Sequence, residues 1–126
     1  IELPGYVPND EIPDYYRNAD VFALASDHES FGMVLLEAMS SGLPVVAPAI
    51  DWIPKIVEDG VQGLLYEPGS EFELVAHLSA LYEDGRQSHE IGRQARRSIE
   101  TGYDWDSRAS DLNDVFETVI TFDDGK

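Results

Sequence analysis

Two glutamates flank the start of a predicted helix in the segment HESFGMVLLEA, residues 28–38. Glu29 comes directly before a Ser-Phe-Gly turn, and Glu37 follows an apolar run eight positions later. If the helix begins near Ser30, a rise of about 1.5 Å per residue separates the two carboxylates by roughly 10 Å. Glycosidase carboxylate pairs lie roughly 5–9.5 Å apart, so this spacing disfavours a hydrolytic pair. It fits an extended ligand that has a polar group at each end.

The first helical turn between the two glutamates can bind an anion. The backbone N–H groups from Phe31 to Val34 lie at the positive end of the predicted helix dipole. Gly32 has no side chain, so a phosphate can approach the backbone there. A nucleotide-sugar, with hydroxyls on both sides of a diphosphate, would fit this arrangement, since carboxylates accept hydrogen bonds from sugar hydroxyls. Ordinary structural roles remain open, because Ser30 is also a common N-cap and a glutamate stabilises a helix N-terminus without any ligand.

The chain is strongly acidic. Its 126 residues, enough for one domain, include 8 Lys and Arg against 25 Asp and Glu, a net charge of −17. Such a field repels nucleic acids and anionic lipid, so we expect no nucleic-acid partner. The composition is typical of an ordinary acidic protein or of a halophile's protein, whose carboxylates keep the surface hydrated in molar salt. The arginines at 93, 96 and 97 are expected to pair with local carboxylates.

Several kinds of site are absent from the sequence. The chain has no cysteine, which excludes disulfides and thiolate metal sites, and its three histidines lack ligand spacing. We therefore expect no metal and no cofactor. There is no apolar run of membrane-spanning length and no signal-peptide pattern, so we expect a cytoplasmic protein. The chain opens at Ile1 without an initiating Met, which indicates a piece of a longer protein.

Predicted strands and helices alternate along the chain. Strands are predicted over 1–7, 20–26, 43–49 and 62–69, and helices over 9–19, 30–41, 52–60, 71–84, 86–102 and 105–120. Gly42 is placed to end the second helix, and residues 121–126 form a loose tail. This alternation predicts an α/β fold, a Rossmann-like parallel sheet with helices on both faces. Ligands bind such sheets at the carboxyl ends of the strands, where the loop 26–30 leaves strand 20–26.

The stretch ADVFALASDHESFGMVLLEAMSSGLPVVAP, residues 19–48, resembles the retaining glycosyltransferase group 1 family, which has the GT-B architecture. Residues 5–20 and 57–69 and the YDW at 103–105 match the family as well, so the resemblance covers nearly the whole chain. It implies that residues 1–126 are one partial domain, the C-terminal, donor-binding half of such an enzyme truncated at its N-terminus. The two opening strands and the acceptor-binding N-terminal domain would belong to the missing part of the same protein.

The resemblance also implies roles for individual residues. Glu29 would be the catalytic residue that holds hydroxyls of the donor sugar, and Glu37 would accept hydrogen bonds from the ribose. The remaining donor-binding residues would be Ser30, Phe31, Gly32, Met33 and Val34, whose backbone binds sugar hydroxyls and the distal phosphate, and His28 is a further candidate. The reaction would transfer a hexosyl group from a nucleotide-sugar donor to a glycan, lipid or protein acceptor with retained configuration. The family often works without a metal and at the cytosolic membrane face.

Three features depart from the family pattern. Asp51 and Trp52 replace the usual glycines and Lys55 replaces a Glu, and Trp52 either covers a base or acceptor or packs in the core. This departure keeps open a non-catalytic nucleotide or carbohydrate binding module on the same fold. The phosphate-binding Arg and Lys belong to the missing part, so we expect this chain alone to transfer no sugar. An open sheet edge at strand 1–7 favours self-association. The donor sugar, the base and the acceptor stay open.

Overall fold

The structure, a computed structural model, describes residues 5, 7–8, 10–25 and 33–101. The helices are α1 (Ile12–Asn18), α2 (Met33–Ser40), α3 (Ile53–Ile56), α4 (Glu71–Glu83) and α5 (Gly85–Glu100), and the strands are β1 (Phe22–Ala23), β2 (Val45–Pro48) and β3 (Gly63–Tyr66). Each element lies within a predicted one, except that α5 begins one residue earlier. Most of the predicted strand 1–7, the helix 105–120 and the tail 121–126 lie outside the described residues.

The three strands form a parallel sheet in the order β1-β2-β3. The central strand β2 is buried at every position. Its alternate residues face opposite sides of the sheet, and both sides are covered by a core. Val45 and Ala47 belong to a core on one face, and Val46 belongs to a second core on the other. The predicted α/β fold with helices on both faces is therefore confirmed.

The larger core lies between the sheet and α2, α3 and α5. Its buried members are Leu35, Ala38, Met39, Leu43, Val45, Ala47, Trp52, Ile53, Ile56, Val57 and Ala95. Trp52 is only 6% exposed, so packing is the role that the structure shows for this side chain. Asp51 beside it has a φ of +50°, in the left-handed region that aspartate tolerates better than most residues.

The turn after α2 is held by its backbone. Gly42 has a φ of +82°, and its N–H donates to the Met39 carbonyl at 3.0 Å. This left-handed glycine confirms the predicted end of α2. Helix α5 then packs against α2, close to the same turn.

Helix α4 buries one row of apolar residues and leaves another row exposed. Phe72, Val75 and Tyr82 recur at helical spacing, yet they are 84%, 60% and 90% exposed. The second core instead takes residues from a neighbouring stripe of the same helix, namely Leu74, Leu78 and Leu81. Of the helices in the described part of the chain, none is long and apolar enough to cross a membrane.

Candidate functional site

The carboxyl ends of the strands are tied together beside the candidate site. The Tyr66 hydroxyl, at the end of β3, donates a hydrogen bond of 2.7 Å to the Leu24 carbonyl, just after β1. Tyr66 is buried, and this bond crosses the sheet from one side of β2 to the other. The backbone is thus fixed at Leu24, shortly before the loop that leads into α2.

Glu37 is the predicted ligand-binding carboxylate that the structure describes. It lies in the second turn of α2 and is half-buried. The Tyr16 hydroxyl, from the last turns of α1, donates to its Oε2 at 3.1 Å and lies 3.5 Å from the Val34 carbonyl. Among the residues that the structure describes, Tyr16 is the hydrogen-bond partner of this carboxylate, at Oε2, and Oε1 can accept from a ligand.

The environment of Tyr16 keeps its hydroxyl protonated. Burial, then the hydrogen bond to Glu37, then the negative charge of Glu37 together raise the pKa of Tyr16 to about 12. All three effects disfavour the phenolate, because it would be a partly buried anion beside a carboxylate. Tyr16 is thus a neutral donor, and Glu37 is the acceptor of the pair.

The other predicted site residues divide into two groups. Val34 is in the first turn of α2 and 41% exposed, and Met33 is the first residue of that helix. Met33, Val34 and Glu37 thus lie on one helix, and their binding roles stay predictions. The remaining candidates lie outside the described residues, and their roles stay predictions: His28, Glu29, Ser30, Phe31 and Gly32.

The contact between Tyr16 and Glu37 was not predicted from the sequence. Tyr16 is 21 positions before Glu37 and belongs to a different helix, so no local spacing connects them. The sequence carries only a weak signal for this contact, because Tyr16 is simply an aromatic residue near the end of the helix that precedes the strand leading to the site. Only the fold brings the end of α1 against α2.

No metal-binding cluster is present in the part of the chain that the structure describes, because no group of three or more His, Asp or Glu side chains lies close enough. His77 Nε2 lies 3.0 Å from the Leu65 carbonyl, which gives this ring a structural partner. His89 is exposed on α5. The expectation of a site without metal or cofactor stays a prediction.

A separate open pocket of 210 Å³ lies at the other end of the sheet. Its lining comes from residues just before β3 and from the end of α5, and includes Glu58, Gln62, Arg97 and Ser98. Gln62 is almost fully buried and accepts a 2.8 Å hydrogen bond from the Glu58 N–H. This pocket is near the amino end of β3, whereas ligands of parallel α/β sheets bind at the carboxyl ends.

Comparison with known proteins identifies relatives over most of the chain. Residues 1–98 match the family model described as Glycosyl transferases group 1. The sulfoquinovosyl transferase of Arabidopsis thaliana is 38% identical over 122 residues, which are 94% of this chain and 24% of that protein. A D-inositol 3-phosphate glycosyltransferase of Salinispora tropica is 36% identical over 88% of this chain and 23% of its own length. The chain spans about a quarter of the length of these curated relatives.

Solved structures share the fold. Sucrose-phosphate synthase from Thermosynechococcus elongatus superposes with a TM-score of 0.73 at 25% identity, covering 93% of this chain and 29% of that one. The Anabaena protein HepE, solved in complex with UDP-glucose, gives a TM-score of 0.70 at 30% identity, covering 88% and 30% of the two chains. A C-terminal domain from Francisella tularensis gives 0.73 at 32% identity, covering 80% of this chain and 52% of that one. The architecture that these neighbours share with this chain is GT-B.

Proposed function

The chain belongs to the group 1 family of glycosyl transferases, and from this premise we propose that it carries part of the donor site of a retaining glycosyltransferase. The donor is a nucleotide-sugar, and the group transferred is a hexosyl group. The acceptor is a glycan, a lipid or a protein. The relative HepE, solved with UDP and with UDP-glucose, makes uridine nucleotides the first ligands to test.

The observation that carries this proposal is the Glu37 carboxylate on α2. It is half-buried in the second turn of α2, and the Tyr16 hydroxyl donates to its Oε2 at 3.1 Å. A carboxylate can accept from both hydroxyls of a ribose, and charge-assisted bonds of this kind are the strong ones. We assign Glu37 to the ribose of the nucleotide.

The remaining roles follow from the family resemblance. Glu29 holds the donor-sugar hydroxyls, with His28 as a further contact. The backbone from Ser30 to Val34, which includes Phe31, Gly32 and Met33, binds sugar hydroxyls and the distal phosphate with the N–H groups of a helix start. Arginine and lysine from the rest of the protein neutralise the leaving diphosphate, so no metal is required. This chain alone then transfers no sugar.

In the proposed reaction, the bond between the anomeric carbon and the diphosphate oxygen breaks. The acceptor oxygen forms its bond to the same carbon from the same face, and the acceptor proton passes to the leaving phosphate. Configuration is therefore retained. Positioned cations and backbone dipoles stabilise the negative charge that develops on the diphosphate.

We expect Glu37→Ala to weaken nucleotide binding roughly 10- to 100-fold, because it removes charge-assisted hydrogen bonds to the ribose. The measurement is a titration of UDP, GDP and ADP into the chain in molar KCl, followed by ligand-observed NMR. Glu83→Ala, an exposed glutamate at the far end of α4, is the matched control and should bind like the unsubstituted chain.

Equal affinity in the Glu37→Ala and unsubstituted chains would contradict the ribose assignment. Glu29→Ala in the longer protein separates an enzyme from a binding module. An enzyme loses sugar transfer with Glu29→Ala, whereas a module binds the nucleotide and transfers nothing at all.

We also propose that the acidic surface is adapted to high salt. The net charge of −17 repels itself in the folded chain, and salt screens that repulsion over about 10 Å at 0.1 M and about 3 Å at 1 M. The midpoint of thermal unfolding should therefore rise between 0.1 and 2 M KCl. Sucrose of matched osmolality is the control, since it screens no charge. A higher midpoint in dilute buffer than in molar KCl would contradict the proposal.

A further inference from the structure

Tyr16 connects helix α1 to the larger core. Helix α1 contains no fully buried residue, and Tyr16 is a residue through which it packs against the larger core. The ring of Tyr16 contacts the ring of Phe22 in β1, with 6.2 Å between centroids and a tilt of 53°. The ring thus attaches α1 to the core by apolar contact.

The Tyr16 hydroxyl makes a contact that is separate from the packing of the ring. It extends beyond the ring to the carboxylate of Glu37, where it donates at 3.1 Å, and it lies 3.5 Å from the Val34 carbonyl. Deleting this hydroxyl as phenylalanine keeps the ring and its packing. Removing this one oxygen atom therefore removes the contact with Glu37 while the packing of α1 against the core is kept.

The contact restricts how Glu37 can present its carboxylate. A glutamate side chain on a helix surface has several rotamers, and holding it in one costs side-chain entropy. The Tyr16 hydroxyl fixes Oε2 and leaves Oε1, with the remaining lone pair of Oε2, for a ligand. Two neighbouring hydroxyls, as on C2 and C3 of a ribose, match two acceptor oxygens of one carboxylate.

We propose that Tyr16 is a positioning residue that orients the Glu37 carboxylate toward the vicinal hydroxyls of the ribose and so makes the site prefer ribonucleotides to 2′-deoxyribonucleotides. This role rests on the proposed function, since it requires that Glu37 binds the ribose. Tyr16 acts through Glu37 and does not itself touch the reacting atoms.

The test compares each ribonucleotide with its 2′-deoxy counterpart: UDP with 2′-deoxy-UDP, and likewise for GDP and ADP. The unsubstituted chain should bind the ribonucleotide about tenfold more tightly, as expected for one charge-assisted hydrogen bond. Tyr16→Phe should lower that ratio to about threefold or less, because the carboxylate is no longer held. Tyr15→Phe, on the same helix and 49% exposed, is the matched control and should leave the ratio unchanged.

The ratio separates positioning from a structural role. If Tyr16→Phe weakens both nucleotides equally, or weakens neither, the positioning role is overturned while Glu37 keeps its assignment. If Glu37→Ala keeps the full preference for ribose, the assignment of Glu37 to the ribose fails and the positioning role with it.

A second readout needs no ligand. In ¹³Cζ-tyrosine NMR, the Tyr16 phenol should stay protonated through pH 11, consistent with its pKa of about 12, and the signal is assigned by its loss in Tyr16→Phe. Glu37→Ala should move that pKa down toward the ordinary value near 10, though not fully, since burial is the largest cause of the shift. A Tyr16 titration that is unchanged in Glu37→Ala would show that the contact does not exist in solution, and would overturn the inference.

Discussion

Replacing Gly92 by alanine is expected to lower the free energy of unfolding by about 2–3 kcal/mol, the upper range for overpacking a buried site. A Cβ at Gly92, in the middle of α5, would lie 2.2 Å from the Gly42 carbonyl oxygen and 3.2 Å from Pro44 Cδ. The first atom belongs to the backbone, in a turn whose left-handed glycine fixes the chain, so it cannot rotate away. The gain of about 1 kcal/mol in helix propensity does not offset this clash.

Urea unfolding in molar KCl, followed by far-UV circular dichroism, measures this loss. Gly85→Ala is the matched control, because it is the first residue of α5 and a Cβ there meets no atom within 4 Å. We expect that control to unfold at the same urea concentration or slightly higher. Identical midpoints for the Gly92→Ala and Gly85→Ala chains would contradict the close approach of α5 to the turn after α2.

Trp52→Ala is expected to cost about 3–5 kcal/mol, the usual range for truncating a buried Trp. The indole is 6% exposed and packs in the larger core at the start of α3. Since a domain of this kind has a total stability of about 5–15 kcal/mol, the loss would unfold a large fraction of the chain under mild conditions. Trp52→Phe keeps most of the apolar volume and should lose less.

The same pair of variants distinguishes packing from ligand binding. A Trp that covers the base would lose nucleotide affinity in Trp52→Phe while losing little stability. We expect the opposite order: reduced stability, and unchanged affinity for UDP at a temperature where the variant is folded. A tenfold loss of affinity with unchanged urea midpoint would mean that Trp52 belongs to the donor site.

The elements that the sequence predicted correctly are those whose signal is local. The continuous apolar run at 43–49 indicated a strand buried on both faces, and β2 is buried at every position. Gly42 marked the end of α2 because its left-handed conformation is typical of a helix end. Both predictions depend on neighbours along the chain, and neither requires knowledge of the tertiary fold.

Tertiary contacts decide which face of α4 is buried. The apolar repeat of α4 contains two adjacent stripes, and helical spacing alone does not decide which one faces the sheet. The fold places Leu74, Leu78 and Leu81 against Val46 and Tyr66 of the second core, and leaves Phe72 and Tyr82 exposed.

The candidate site shows the same division. Glu37 was proposed from its spacing to Glu29 and from the family pattern, while its contact with Tyr16 was not anticipated, because a separation of 21 positions carries no periodic signal. The contact exists only because α1 ends beside α2 in the folded chain. Residues 28–32 were assigned from the family pattern and lie outside the described residues.

The left-handed conformation of Asp51 has a consequence for how this turn can change by mutation. At a φ of +50°, glycine, asparagine and aspartate are tolerated, whereas β-branched residues are strongly disfavoured. Glycine and aspartate codons differ by a single middle base, as do those of glycine and valine. A glycine at such a position can therefore be replaced by aspartate through one nucleotide substitution, whereas the equally short step to valine would place a β-branched side chain on a strained backbone.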